Sequence, residues 1–162
     1  MHTDSMTRPR KPPFQDVADQ CIGVRVRVLN RVLTSVYDDA LRPTGLRTSQ
    51  FNILAMLGTN DEATPRDLEE VLCLEQSTVS RNLAILRRNG WVDARPDESD
   101  HRALVYRLSP AGHEKMKEAM PLWRRAQKRA REVLGELGTG AFLRVADHVW
   151  GELDERAPTR SR

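Results

Sequence analysis

The stretch from Thr64 to Leu108 constrains the fold more than any other part of the chain. Thr64-Pro65-Arg66-Asp67 reads as a helix start. Threonine is an N-cap, proline suits the first helical position, and an acid at the third position completes a capping box. Leu68, Val71 and Leu72 give this short helix its buried face. After Cys73-Leu74-Glu75 a second helix begins near Gln76, with Val79, Leu83 and Leu86 as its buried stripe and Asn89-Gly90 as its end. Two short strands follow, Trp91 to Arg95 and Ala103 to Leu108, with Leu104, Tyr106 and Leu108 alternating onto one face. Pro96 to Arg102 is turn-forming and charged, so the strands make a hairpin with a long tip. Short helix, tight turn, second helix and hairpin make a winged helix-turn-helix.

The flanks read as helical. From Phe14 to Leu41, Val17, Cys21, Val24, Val28, Val32, Val36 and Ala40 recur at spacings of three and four. Val24-Arg25-Val26-Arg27-Val28 alternates as a strand would, but the length of the three-four pattern on both sides favours one long helix. Pro43 stops it. Thr48 is placed to cap the next helix, which carries Phe51, Leu54 and Leu57 and ends near Gly58. Ser109-Pro110 starts another by the same cap-then-proline logic, running to about Leu134 with a kink expected at Pro121. Gly135, Gly138 and Gly140 mark a break before a last amphipathic helix with Phe142, Val145, Ala146, Val149, Trp150 and Leu153. The expected class is mainly α, an α+β winged helix-turn-helix with six helices and a two-stranded wing. Residues 1–13, with Arg8, Arg10 and Lys11 among three prolines, read as a disordered basic arm, either a mere tail or an arm touching DNA phosphates. The residues 157–162 read as a loose tail.

Composition removes other classes. Among 162 residues no apolar run approaches the roughly 20 needed to span a bilayer. The start lacks the apolar stretch of a secretory signal. Two cysteines, Cys21 and Cys73, are no disulfide framework, so a reducing cytoplasm is the expected location. Net charge is 26 − 23 = +3, too mild an excess to decide for or against nucleic acid, so the distribution of charge matters more.

That distribution is informative on the second helix of the turn motif. Ser77, Thr78, Ser80, Arg81 and Asn82 are assigned to its outward face, all in its first half. Short hydrogen-bonding side chains with one arginine suit base edges in a major groove. Arg87 and Arg88 follow as candidates for phosphates, and Arg95 is grouped with the wing. At the tip, Asp100-His101-Arg102 offers an arginine for the negative minor groove, steadied by a carboxylate two residues earlier.

The stretch from Thr64 to Gly112 resembles the DNA-binding core of the multiple-antibiotic-resistance regulator (MarR) family. STVSRNLAILRRNGWV is similar to its recognition helix and wing entry, DESDHR to its Asp-x-Arg wing tip, and RLSPAG to its passage into the following helix. YDDALRPTGLRTSQFNIL is similar to the end of its first helix and its second helix, so the resemblance runs from about residue 15 to 155. It implies a homodimer whose outer helices, in 14–42 and 110–156, interlock around the DNA-binding domain 43–109. Two recognition helices then lie roughly 34 Å apart and read an imperfect palindrome. Two positions depart from the pattern: Cys73 stands where glycine is usual, implying a different turn or a small buried residue, and His101 replaces the first of two wing arginines.

The resemblance also implies a small aromatic or amphipathic effector. Phe51, Leu54, Met116, Met120 and Trp123 are candidate lining and Arg25 or Arg27 a candidate carboxylate partner, although each apolar one better suits a core and either arginine a solvated face. Cys21 occupies a place similar to that of peroxide-sensing cysteines, but lacks their surrounding tyrosines. His2, His101, His113 and His148 show no metal-ligand spacing, and no cofactor motif, nucleophile elbow or phosphate-binding loop is present, so an enzyme is not expected. The expected function is a DNA-binding regulator, a ligand-responsive repressor. The alternative is a winged-helix protein-interaction scaffold, for which the polar face and Arg102 would be superfluous.

Overall fold

The order of elements follows the local signals closely. In the computed structural model, which describes residues 14–98 and 103–156, helices α1 (Gln15–Gln20), α2 (Ile22–Leu41), α3 (Thr48–Thr59), α4 (Pro65–Leu72) and α5 (Gln76–Arg88) precede strands β1 (Val92–Pro96) and β2 (Leu104–Leu108) and helix α6 (Pro110–Arg156). A short 3₁₀ turn, Arg42–Thr44, closes α2, with Gly45 beyond it at φ 75°. The expected basic arm, the tail 157–162 and the wing-tip residues Asp100, His101 and Arg102 lie outside the described residues.

The chain divides into two units, 1–34 and 35–162. In the first, the expected continuous helix is broken at Cys21, whose ψ of 111° is extended. Ile22, Gly23 and Val24 are weak helix formers, so the break falls where propensity is least. Helical hydrogen bonds run up to it from either side, from Cys21 N–H to Val17 O and from Arg25 N–H to Cys21 O. The Val-Arg alternation is helical, and Ile22, Val24, Val26 and Val28 are exposed on it.

In the second unit, Leu41, Leu46, Ile53, Leu54, Leu68, Val79, Leu86 and Val92 form the sealed core. The start of α3 differs from expectation. Thr48 is its first residue, not its cap. The capping acceptor comes from ten residues upstream: Asp38 Oδ1 accepts the Thr48 N–H and the Thr48 hydroxyl, each at 2.7 Å. Burial raises the Asp38 carboxyl, but the Thr48 bonds and Arg47 outweigh it and hold the group below its ordinary value of 3.8. Next to Asp38 on α2, Tyr37 donates its hydroxyl proton to Gln127 of α6, and burial raises the phenol against the opposing charge of Arg131.

The two strands are antiparallel, with Val92 opposite Leu108 and Pro96 opposite Leu104. Ala63 adds a one-residue bridge on the other side of β2, exchanging both backbone bonds with Tyr106 at 2.9 Å. Of the face shared by Leu104, Tyr106 and Leu108, Leu108 is buried and Tyr106 packs against the core, whereas Leu104, nearest the wing tip, is 37% exposed and Val105, on the other face, is 6% exposed.

Ser109 caps α6 as expected and does more. Its Oγ accepts the Gly112 N–H at 3.0 Å and donates to Gly90 O at 2.6 Å, while its N–H reaches Trp91 O. A Cβ on Gly112 would lie 2.0 Å from Trp91 O, so the base of the wing and the first turn of α6 touch backbone to backbone. Lys115 completes the joint, its ammonium 5.1 Å from the Trp91 ring centroid and 3.3 Å from Thr44 O. The expected pair of C-terminal helices is present, joined end to end at Gly135 within the span Pro110–Arg156. The backbone stays helical through Pro121 and departs only at Gly135, at φ 68° and ψ 169°, while Gly138 and Gly140 stay in the helix.

Two outcomes follow. Gly112→Ala lowers stability in urea unfolding by an amount at the upper end of about 1–3 kcal/mol, whereas Gly138→Ala, whose Cβ meets only Leu134 at 3.7 Å, leaves it unchanged or raises it. For Asp38, a depressed folded value means stabilisation is present above the ordinary carboxylate range and lost as pH falls through the folded value. The melting temperatures of wild type and Asp38→Ala therefore differ at pH 7, by the equivalent of about 1 kcal/mol, and converge below the ordinary value of 3.8.

Candidate nucleic-acid interface

The helix-turn-helix is held by local chemistry. Thr64 N–H donates to Asp67 Oδ2 at 2.9 Å and Asp67 N–H to Thr64 Oγ1 at 3.2 Å, the reciprocal capping box, with Pro65 at the first helical position. Leu68 anchors α4 in the core. The turn is made by Cys73 at φ 49° and ψ 44°, the one non-glycine with positive φ among the described residues. Glycine chemistry is therefore retained in backbone shape though not in residue type, and the cysteine is exposed rather than a small buried filler.

On α5, Val79, Leu83 and Leu86 face the core as expected. Ser77, Ser80, Arg81, Ala84, Arg87 and Arg88 form a continuous exposed stripe. Arg81 folds back along the helix, its Nε donating to Ser77 O at 2.8 Å and its terminal nitrogen to Ser77 Oγ at 3.2 Å. The guanidinium is thereby held over the first turn of α5. Thr78 is half-buried at the edge of the stripe. Asn82 is not on it: the residue is 8% exposed and its Nδ2 donates to Ser49 Oγ of α3 at 3.2 Å. At about 100° per residue it falls about 40° beyond Leu86 and about 60° from Val79, at the edge of the inner side, a placement that polarity alone conceals.

Arg95 has a structural partner as well. Its guanidinium donates to both oxygens of Glu62, at 2.9 and 2.8 Å, and to Glu98 Oε1 at 3.4 Å. It ties the first wing strand to the loop before α4, a link that sequence reasoning missed because Glu62 is 33 residues away. Arg107 and Asp93 pair across the strands at 3.7 Å.

The candidate effector residues are placed in packing. Phe51 and Leu54 are buried, and Met116, Met120 and Trp123 pack against the same core. The Phe51 and Trp123 rings stack, centroids 6.3 Å apart. Arg25 belongs to the first unit, where its guanidinium donates to Asp19 O. Surface depressions lie elsewhere: one of about 390 Å³ beside α5, lined by Pro65, Ser80, Ala84, Arg87, Arg88 and Tyr106, and one of about 480 Å³ between 36–43 and 122–129. Cys21, the redox candidate, is half-buried at the junction of α1 and α2. Among the described residues no group of three His, Cys, Asp or Glu side chains is arranged to hold a metal. No described helix is long and apolar enough to cross a membrane.

An α4–turn–α5 unit backed by a two-stranded wing, with a polar and basic stripe on the second helix, defines a winged helix-turn-helix protein. Residues 44–103 match the MarR family model. The multiple antibiotic resistance protein MarR of Salmonella typhimurium is 25% identical over 91 residues, 56% of this chain and 63% of that one. The transcriptional repressor MprA of Escherichia coli is 28% identical over 114 residues, 67% of this chain and 61% of that one. The chain thus spans about three-fifths of the length of the curated relatives it matches. The M. tuberculosis transcriptional regulator MosR, solved in complex with DNA, superposes with a TM-score of 0.68 at 29% identity, covering 88% of this chain and 100% of that one. The chain is similar to the MarR family over its helix-turn-helix and wing, residues 44–103.

The left-handed turn makes a local prediction. Replacing Cys73 by glycine removes a side chain from a conformation that costs roughly 1–2 kcal/mol for an L-residue, partly offset by glycine's greater freedom when unfolded, for a net gain of about 0.5–1 kcal/mol. Cys73→Val shifts the urea midpoint the other way.

Proposed function

We propose that the chain is a sequence-specific DNA-binding transcriptional regulator that acts as a homodimer on an imperfect palindrome. The observation that carries this reading is the stripe on α5. Its first half presents Ser77, Thr78, Ser80 and a tethered Arg81, and its second half presents Arg87 and Arg88. Groups of the first kind read base edges, and those of the second bind phosphates. The family match and the DNA-bound neighbour MosR support it. Arg102 and His101 of the wing tip are assigned to the minor groove, with Asp100 as the arginine's partner, and Arg95 to wing anchoring.

Exposed apolar faces support the dimer. Residues Val24, Val26, Val28 and Val32 on α2 are exposed, as are Leu137, Phe142, Val145, Val149 and Trp150 beyond Gly135, Leu137 by 91%. A monomer in water gains nothing from such faces, and a two-fold partner buries them. Repression is the sign of regulation we infer, in line with the relative MprA. The family reading adds response to a small aromatic or amphipathic effector.

Selection from random DNA, followed by fluorescence anisotropy at fixed salt, tests the reading. The selected site binds well above scrambled DNA of equal length. Arg81→Ala lowers that preference by about 1–3 kcal/mol while non-specific binding stays nearly constant. Equal, weak, salt-sensitive binding to all sequences overturns specific recognition and favours the interaction scaffold. Equal loss on both DNAs assigns Arg81 to phosphate.

A further inference from the structure

Asn82 is out of place on a helix that needs no polar group on its inner side. Val79, Leu83 and Leu86 already bury that face, and they are closed to solvent. Apolar contacts are non-directional, so they hold α5 against the core but tolerate small rotations about its axis. A side-chain amide and a hydroxyl are different: their bond exists over a narrow range of distance and angle. The Asn82 Nδ2 bond to Ser49 Oγ, at 3.2 Å, exists at one rotation of α5 relative to α3. Loss of the acceptor leaves a buried amide unsatisfied, which makes other rotations costly.

Ser49 is itself fixed from the other side. It follows Thr48, whose N–H and hydroxyl both end on Asp38 Oδ1. Asp38 lies in the last turn of α2, so two adjacent residues at the start of α3 grip α2 and α5 in turn. The exposed stripe of α5 is opposite Asn82. Whether Ser77, Ser80 and Arg81 point outward together is decided by the rotation this bond selects.

We propose that Asn82 and Ser49 are positioning residues for DNA reading, setting the rotation of the recognition helix while adding little to stability. The proposal rests on the DNA-binding reading above. The test compares wild type, Ser49→Thr, which keeps the hydroxyl, and the double variant Asn82→Leu with Ser49→Ala, which makes the contact apolar on both sides. The double variant melts at or above the wild-type temperature, because replacing both partners of a buried polar pair is neutral or stabilising. Its preference for the selected site over scrambled DNA falls about tenfold, the scale of one misplaced base contact. Ser49→Thr keeps the preference.

Amide exchange without DNA gives an independent readout. In the double variant Thr78 to Arg81 exchange about tenfold faster while the core amides of α3 do not change, the pattern of a locally loosened element. Unchanged preference in a folded double variant overturns the proposal. If wild type itself shows no preference for any sequence, the DNA reading has failed; exchange then decides, and unchanged α5 protection overturns the fixing of the helix. Should the double variant fail to fold, Ser49→Ala alone carries both readouts: a lost preference with faster exchange upholds the positioning role, and an unchanged preference overturns it.

Discussion

The absence of a side chain at Gly112 permits the contact on which the remaining geometry depends. Trp91 O occupies the space a Cβ would need, and the same carbonyl accepts the Ser109 N–H. Ser109 Oγ meanwhile bonds Gly90 O and the Gly112 N–H. One joint therefore contains the end of α5, both ends of the wing and the start of α6. Lys115 extends it to the Thr44 carbonyl and the Trp91 ring. Neither α5 nor the wing depends on surface ion pairs of small worth; they are held by backbone meeting backbone, which no rotamer change can relax.

Charge is used for a second purpose. Ion pairs of exposed groups contribute little to folding as a rule. The Arg95 bridge to Glu62 and Glu98 is partly exposed, so its value lies in restricting the wing's direction rather than in stability. This leaves the cations of α5 for a partner. A chain with a net charge of only +3 can still present a concentrated basic stripe, since several of its acids are paired with cations outside α5.

Much of this is legible in the sequence because its causes are local. The Thr64-Pro65-Asp67 start, the Ser109 cap, the ends of α5 and the hairpin each follow from residues within a turn of one another. The departures lie where the cause is distant. Thr48 has the look of a cap because Asp38, which supplies the acceptor, belongs to another helix. Asn82 has the look of a reading residue because its partner Ser49 is 33 positions away. Leu104 and Val105 exchange roles because a two-stranded ribbon buries whichever side its neighbours cover. Cys73 shows the opposite limit: the turn keeps its shape despite an unfavourable residue, so composition understates the constraint that the two helices impose.

Gly135 carries a mechanical consequence. Its φ of 68° and ψ of 169° lie where only a residue without Cβ is comfortable. The direction of everything downstream to Arg156 is consequently set by two torsions of one residue. At about 1.5 Å per residue, that segment is a lever roughly 30 Å long, so a ten-degree change at its pivot carries the tip about 5 Å. Substitution at this position redirects the apolar segment more than it weakens the fold, and alters aim before it alters melting.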